Sequence, residues 1–106
     1  MTDKRIVLTT AGSKDEAHKI ARQLVERRLA ACVNVIAPIH SVYRWKGVIE
    51  SGEEWLLVVK TSAGAFESVC KAVKELHSYE VPECIMLSIE DGSTAYLDWI
   101  EENVGS

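Results

Sequence analysis

The sequence predicts an α+β fold, an antiparallel sheet with two helices on one face, and three observations predict it. Strand-like runs rich in β-branched residues alternate with two amphipathic helical stripes in the order β-α-β-β-α-β. Lys46-Gly47 joins two long strand-like runs with no helix between them, which marks a hairpin. Asp91-Gly92-Ser93 then turns the chain into one further helix at the C-terminal end. Two split βαβ units in this order make a ferredoxin-like sandwich, here with a long β-hairpin and a C-terminal helix. The 106 residues carry no linker, repeat or low-complexity stretch, so residues 1–106 read as a single domain.

The elements follow in turn. Lys4 to Thr10 is a β-branched run ending at Ala11-Gly12. Ser13 and Glu16 have the spacing of a capping box, and Ala17, Ile20, Ala21, Leu24 and Val25 form the stripe of the helix it opens. Arg27 and Arg28 fall at its end, where the helix dipole favours cations. Strand character returns from Ala31 to Ile36. Pro38 interrupts it, and because proline cannot donate to a ladder it marks a bulge or an edge. Ile39 to Trp45 and Val48 to Lys60 form the hairpin, with Ser51-Gly52 as a second candidate bulge. Thr61-Ser62 offers a cap for a helix whose stripe is Phe66, Val69, Cys70, Val73, Leu76 and His77. After an irregular stretch to Glu83, Cys84 to Ile89 is the fourth strand. The last helix carries Tyr96, Trp99, Ile100 and Val104 on one side.

Two helices cover one face of such a sheet, so the other face should be polar. It is not: Leu56 and Val58 alternate with Trp55, Leu57 and Val59, Ile6 and Leu8 with Val7, and Ile85, Leu87 and Ile89 with Met86. Exposed apolar sheet is an assembly surface, which predicts a homo-oligomer packed through that face and the hairpin.

Composition narrows the function. The net charge is −4 with no basic run, so nucleic acid is not an expected partner. The longest apolar stretch, around Trp55 to Val59, is too short to span a bilayer, so no membrane partner is expected. The apolar run after Arg5 is too short for a signal peptide, which makes the expected location cytoplasmic and Cys32, Cys70 and Cys84 reduced thiols. An odd cysteine count without a CxxC pair argues against a disulfide framework or a zinc finger.

Motifs that carry chemistry are few. Thr9 to Ser13 leads into a helix start, and reads either as an anion-holding loop or as a well-capped connection. Cys70 and Cys84 read as small buried hydrophobes. Cys32 alternates with the polar Asn34, and a thiolate on such a face suits copper or zinc. His18 and His40 are placed near the surface. His77 opens the segment Ser78-Tyr79-Glu80-Val81-Pro82-Glu83, whose phenol and carboxylates could ligate a metal or bind a polar ligand; alternatively His77 caps its helix and the loop is structural. Tyr43, Trp45, Trp55, Tyr96 and Trp99 are read as core and interface anchors. No nucleophile signature is present, and no catalytic residue is assigned: the chain is not expected to be an enzyme.

Arg28 to Ile36, Ser41 to Gly47, Leu56 to Thr61, His77 to Glu83 and Tyr96 to Ile100 together resemble the CutA family, in order and at its spacing. The resemblance implies a homotrimer, similar in architecture to PII signalling proteins, and a role in tolerance of divalent metals, copper in particular. It implies no obligatory cofactor, with copper or another divalent cation as the expected ligand. Cys32 matches the family's Ala-Ala-Cys-Val-Asn motif. His77, Tyr79, Pro82 and Glu83 match His-Pro-Tyr-x-x-Pro-Glu, with Ser78 where proline is usual. Lys60 matches the lysine that closes the third strand. Three expectations follow: a metal-binding trimer using Cys32, His77 and Glu83; a PII-like trimer sensing a small anion or nucleotide through Lys60, the Thr9–Ser13 loop and Tyr79; or a trimeric scaffold for a protein partner.

Overall fold

A computed structural model describes residues 2–105, and of Ala37 the backbone. The elements are β1 (Lys4–Ala11), α1 (Lys14–Glu26), β2 (Cys32–Trp45), β3 (Val48–Ser62), a single 3-10 turn at Ala63–Ala65, α2 (Phe66–Leu76), β4 (Ile85–Ser88) and α3 (Thr94–Asn103). The strands form one antiparallel sheet in the order β2-β3-β1-β4. That is the ferredoxin-like arrangement the element order predicts.

The two central strands pair without interruption, Lys4 opposite Ser62 through Ala11 opposite Trp55. Residues of β1 with odd numbers face the helices. Val7, Thr9 and Ala11 lie there beside Leu57 and Val59 of β3, under Ala17, Ile20 and Leu24 of α1 and Val69, Ala72 and Val73 of α2, all fully or almost fully buried. Val33, Val35, Trp55, Phe66, Leu76 and Cys84 close the margin of this core. Each fully buried Leu or Ile contributes about 2 kcal/mol.

The Lys46-Gly47 turn has both residues at positive φ, 51° and 80°, as a two-residue turn that matches strand twist requires. Pro38 does mark a bulge: Ile36 pairs with Leu56 but Ile39 with Glu54, so β2 holds one extra residue. Ser51-Gly52, by contrast, pairs in continuous register with Val42 and Ser41, and the second bulge is not there. The second helix also begins later than its expected cap. β3 runs to Ser62, whose hydroxyl makes no capping bond, and the 3-10 turn intervenes before Phe66. His77 is not part of the α2 stripe but its extended C-cap.

The second sheet face is apolar, as its alternation predicts. Leu8 pairs with Ile85 and Ile6 with Leu87, on the side away from the core. Ile36, Ile85 and Leu87 are 48%, 49% and 45% exposed. α3 covers one end of this face. It packs on β3 and β1, buries Ile100 completely, and takes the ammonium of the buried Lys4 in an ion pair with Glu101. Burial lowers the Lys4 pKa, but hydrogen bonds with Asp3 and Glu101 outweigh it and leave it raised. Tyr96 and Trp99 are 43% and 40% exposed, so of the expected apolar side of α3 Ile100 is the residue fully buried within the chain. Arg28, at φ 57°, reaches the end of α3, donating to the carbonyls of Glu102 and Gly105.

One core atom is out of keeping with its surroundings. The Thr9 hydroxyl is fully buried and, among the described residues, has no hydrogen-bond partner. Thr9→Val replaces it by a methyl of the same shape, and urea unfolding should show a gain of about 1 kcal/mol.

Candidate functional site

The segment after α2 folds back over the end of β1, and His77 is the fastener. Its side chain is fully buried. Nε2–H donates to the Thr10 carbonyl, and Nδ1 accepts from the Tyr79 backbone N–H at 3.1 Å. Glu16 brings its carboxylate to 3.2 Å from Nδ1 and accepts from the Ser78 N–H at 3.4 Å. The capping box is therefore half made: Ser13 accepts from the Glu16 N–H at 3.2 Å, while the Glu16 side chain turns to the His77 loop.

Tyr79 is held just as closely. Its ring lies 4.4 Å from that of His77, and its hydroxyl donates to Glu54 Oε2 at 2.8 Å. A Cβ at residue 12 would stand 2.9 Å from the Tyr79 hydroxyl, so only glycine lets the ring approach here. Burial, then the hydrogen bond to Glu54 and its charge, push the Tyr79 pKa well above the usual phenol range.

Between this loop and the hairpin opens a groove of about 790 Å³. Thr10, Leu56 and Glu54 share the face away from the core, so the groove continues the uncovered apolar sheet. Its walls carry four carboxylates, Glu50, Glu54, Glu80 and Glu83, and three aromatic rings, Tyr43, Trp45 and Tyr79. Burial and the charge of Glu54 hold the Glu83 carboxyl above its ordinary range. Among the described residues none of the four carboxylates enters an ion pair. Such a groove disfavours anions and favours a cation.

The residues singled out from sequence divide into two places. Tyr79 and Glu83 line the groove, and His77 braces it from behind with both ring nitrogens engaged inside the chain. Cys32 lies at the other end of the same face, where it pairs with Lys60; the Lys60 ammonium donates to Asn34 beside it. Three residues of β3 separate Lys60 from Leu56 at the groove, so Lys60 does not meet Tyr79, nor Cys32 meet His77 and Glu83, within this chain. Among the described residues no three His, Cys, Asp or Glu side chains converge as a metal cage. No described helix is long and apolar enough to cross a membrane. Glu54 is the site residue that sequence reading misses. It is one of several glutamates on the hairpin, and only the bulge at Pro38 and the fold-back of Tyr79 distinguish it.

Glu54→Gln removes the charge and the anionic acceptor at Tyr79. Ultraviolet titration of tyrosinate should then show Tyr79 ionising at lower pH than in the parent protein, and retaining part of its elevation because the ring stays buried. The sign carries to stability: a folded pKa raised above the unfolded value stabilises at neutral pH, and that contribution falls away as pH climbs above about 10.

Comparison with known proteins agrees with the fold. The family model of the CutA1 divalent ion tolerance protein matches residues 5–103. The divalent-cation tolerance protein CutA of Thermus thermophilus is 47% identical over 96% of this chain and 99% of its own length, and its solved structure superposes with a TM-score of 0.94. The Archaeoglobus fulgidus structure, described as a periplasmic divalent cation tolerance protein CutA, is 42% identical over 96% of this chain and 99% of its own, with a TM-score of 0.93. The human protein CutA is 43% identical over 88% of this chain, which spans about half of the human protein's length (52%). With its sequence matched from strand β1 to helix α3 and its fold superposed on solved relatives, the chain belongs to the CutA1 divalent ion tolerance family.

Proposed function

We propose that this protein serves divalent-cation tolerance as a cytoplasmic homotrimer that binds the cation without transforming it, copper being the metal that the thiol of Cys32 favours. The observation that carries the reading is the acidic groove, where Glu54 and Glu83 oppose each other's charge with no cationic side chain paired to them among the described residues. A divalent cation there relieves that repulsion. Cys32 stands apart from the groove in one protomer, and packing through the uncovered face is the means by which thiol and carboxylates of different protomers meet. His77 then acts by holding Tyr79 and Glu83 in place, and ligates only if it gives up the Thr10 or Tyr79 contact. The small-anion alternative draws less support, because Lys60 and Tyr79 are separated and the space beside Tyr79 is acidic.

Calorimetric titration of the purified protein with copper should give saturable heat that weakens at least tenfold in Cys32→Ala and in Glu83→Gln. Weak binding indifferent to both substitutions would sink the metal reading. Light scattering should give the mass of three protomers. Placing charge on the uncovered face, as in Leu87→Glu, should shift that mass downward while circular dichroism keeps the α+β signature; an unchanged mass would mean the face is not the interface.

A further inference from the structure

Cys70 and Cys84 belong to no motif and take no part in the groove, yet the fold brings them together. Cys70 lies within α2, next to the buried Val69, and its sulfur reaches Cys84. Cys84 immediately precedes β4; since Ile85 pairs with Leu8 on the uncovered face, the residue before it turns toward the helices. The two sulfurs are 2.6 Å apart, both thiols are free, and both residues are partly exposed to solvent. A disulfide has an S–S length of about 2.05 Å, so bond formation needs a shift of about half an ångström.

We propose that Cys70 and Cys84 form a redox-reactive dithiol that a low-molecular-weight disulfide converts to an intrachain disulfide. Cys84 packs against the buried core, so Cys70 is the thiol that makes the first attack. The Cys70 thiolate attacks one sulfur of the small disulfide, whose S–S bond breaks and releases one small thiol. Cys84 then attacks the Cys70 sulfur of the mixed disulfide, giving up its proton as it does so, and expels the second small thiol. The protein loses two hydrogens and two electrons, and the small disulfide gains them as two thiols.

The bond closes the stretch from Cys70 to Cys84, which contains His77, Tyr79 and Glu83. Oxidation therefore ties down the loop that forms one wall of the groove, through a covalent link between α2 and the start of β4. The separation of Cys32, at the far end of the opposite face, leaves it outside this chemistry.

The test uses the full chain, reduced, freed of reductant and incubated with oxidised glutathione. Intact mass after alkylation should show loss of two hydrogens and a single alkylated thiol, and peptide mapping should join Cys70 to Cys84 and leave Cys32 alkylated. In Cys84→Ser the reaction should stop at a glutathione adduct on Cys70. Protease cleavage between residues 77 and 83 should slow several-fold on oxidation of the parent protein. Three alkylatable thiols after treatment, a persistent glutathione adduct on the parent chain, or a cross-link involving Cys32 would each overturn the proposal. Because the first two readouts use the unmutated protein, poor folding of a variant does not obscure the result.

Discussion

The pairing of β1 with β3 is the constraint on which the rest of the molecule hangs. Eight consecutive residue pairs run in register from Lys4 opposite Ser62 to Ala11 opposite Trp55. Strand alternation then assigns each side chain to a face, and a slip by one residue would exchange the two faces wholesale. The register sets Val7, Leu57 and Val59 under the helices and Leu8, Leu56 and Val58 on the other side. It also delivers Thr10 and Gly12 to the point where His77 and Tyr79 come down, so the groove inherits its geometry from the centre of the sheet.

Two kinds of surface meet on the uncovered face. Most of it is hydrocarbon: Ile6, Leu8, Leu56, Val58, Ile85 and Leu87. At one end lies the Lys4–Glu101 pair under α3, and at the other the acidic groove. Hydrocarbon attracts without direction, whereas charge placed at its ends sets the orientation in which any partner can approach. A face this apolar is unusual on a chain that works alone.

Much of this was readable from the chain itself, and the reasons are local. The Lys46-Gly47 turn, the Pro38 bulge, the Ser13 cap and the two-sided apolarity each follow from residue types whose preferences act within a few positions. Misreadings arose where distant contacts decide. Gly52 looks like a break, but strand pairing on both sides keeps it in register. Glu16 has the spacing to complete a capping box, yet His77 and Ser78, far along the chain, claim its carboxylate. The meeting of Cys70 with Cys84 depends on how α2 crosses the sheet, and no spacing rule announces it. Glu54 gains its place only once Tyr79 has folded back.

The sheet order has a consequence for how the chain acquires its structure during synthesis. The β2–β3 hairpin closes through a two-residue turn and needs nothing beyond itself, so it can zip while the chain is still being made. β4 is different: Ser88 must find Arg5, a partner far earlier in the chain. Until that meeting, β1 offers an unpaired edge beside an apolar surface. Helix α3 and the tie between Arg28 and Gly105 come later still in chain order. Completion of the sheet thereby waits on residues far from its first strand, and a truncated product lacking β4 would be left with a sticky edge rather than a smaller stable fold.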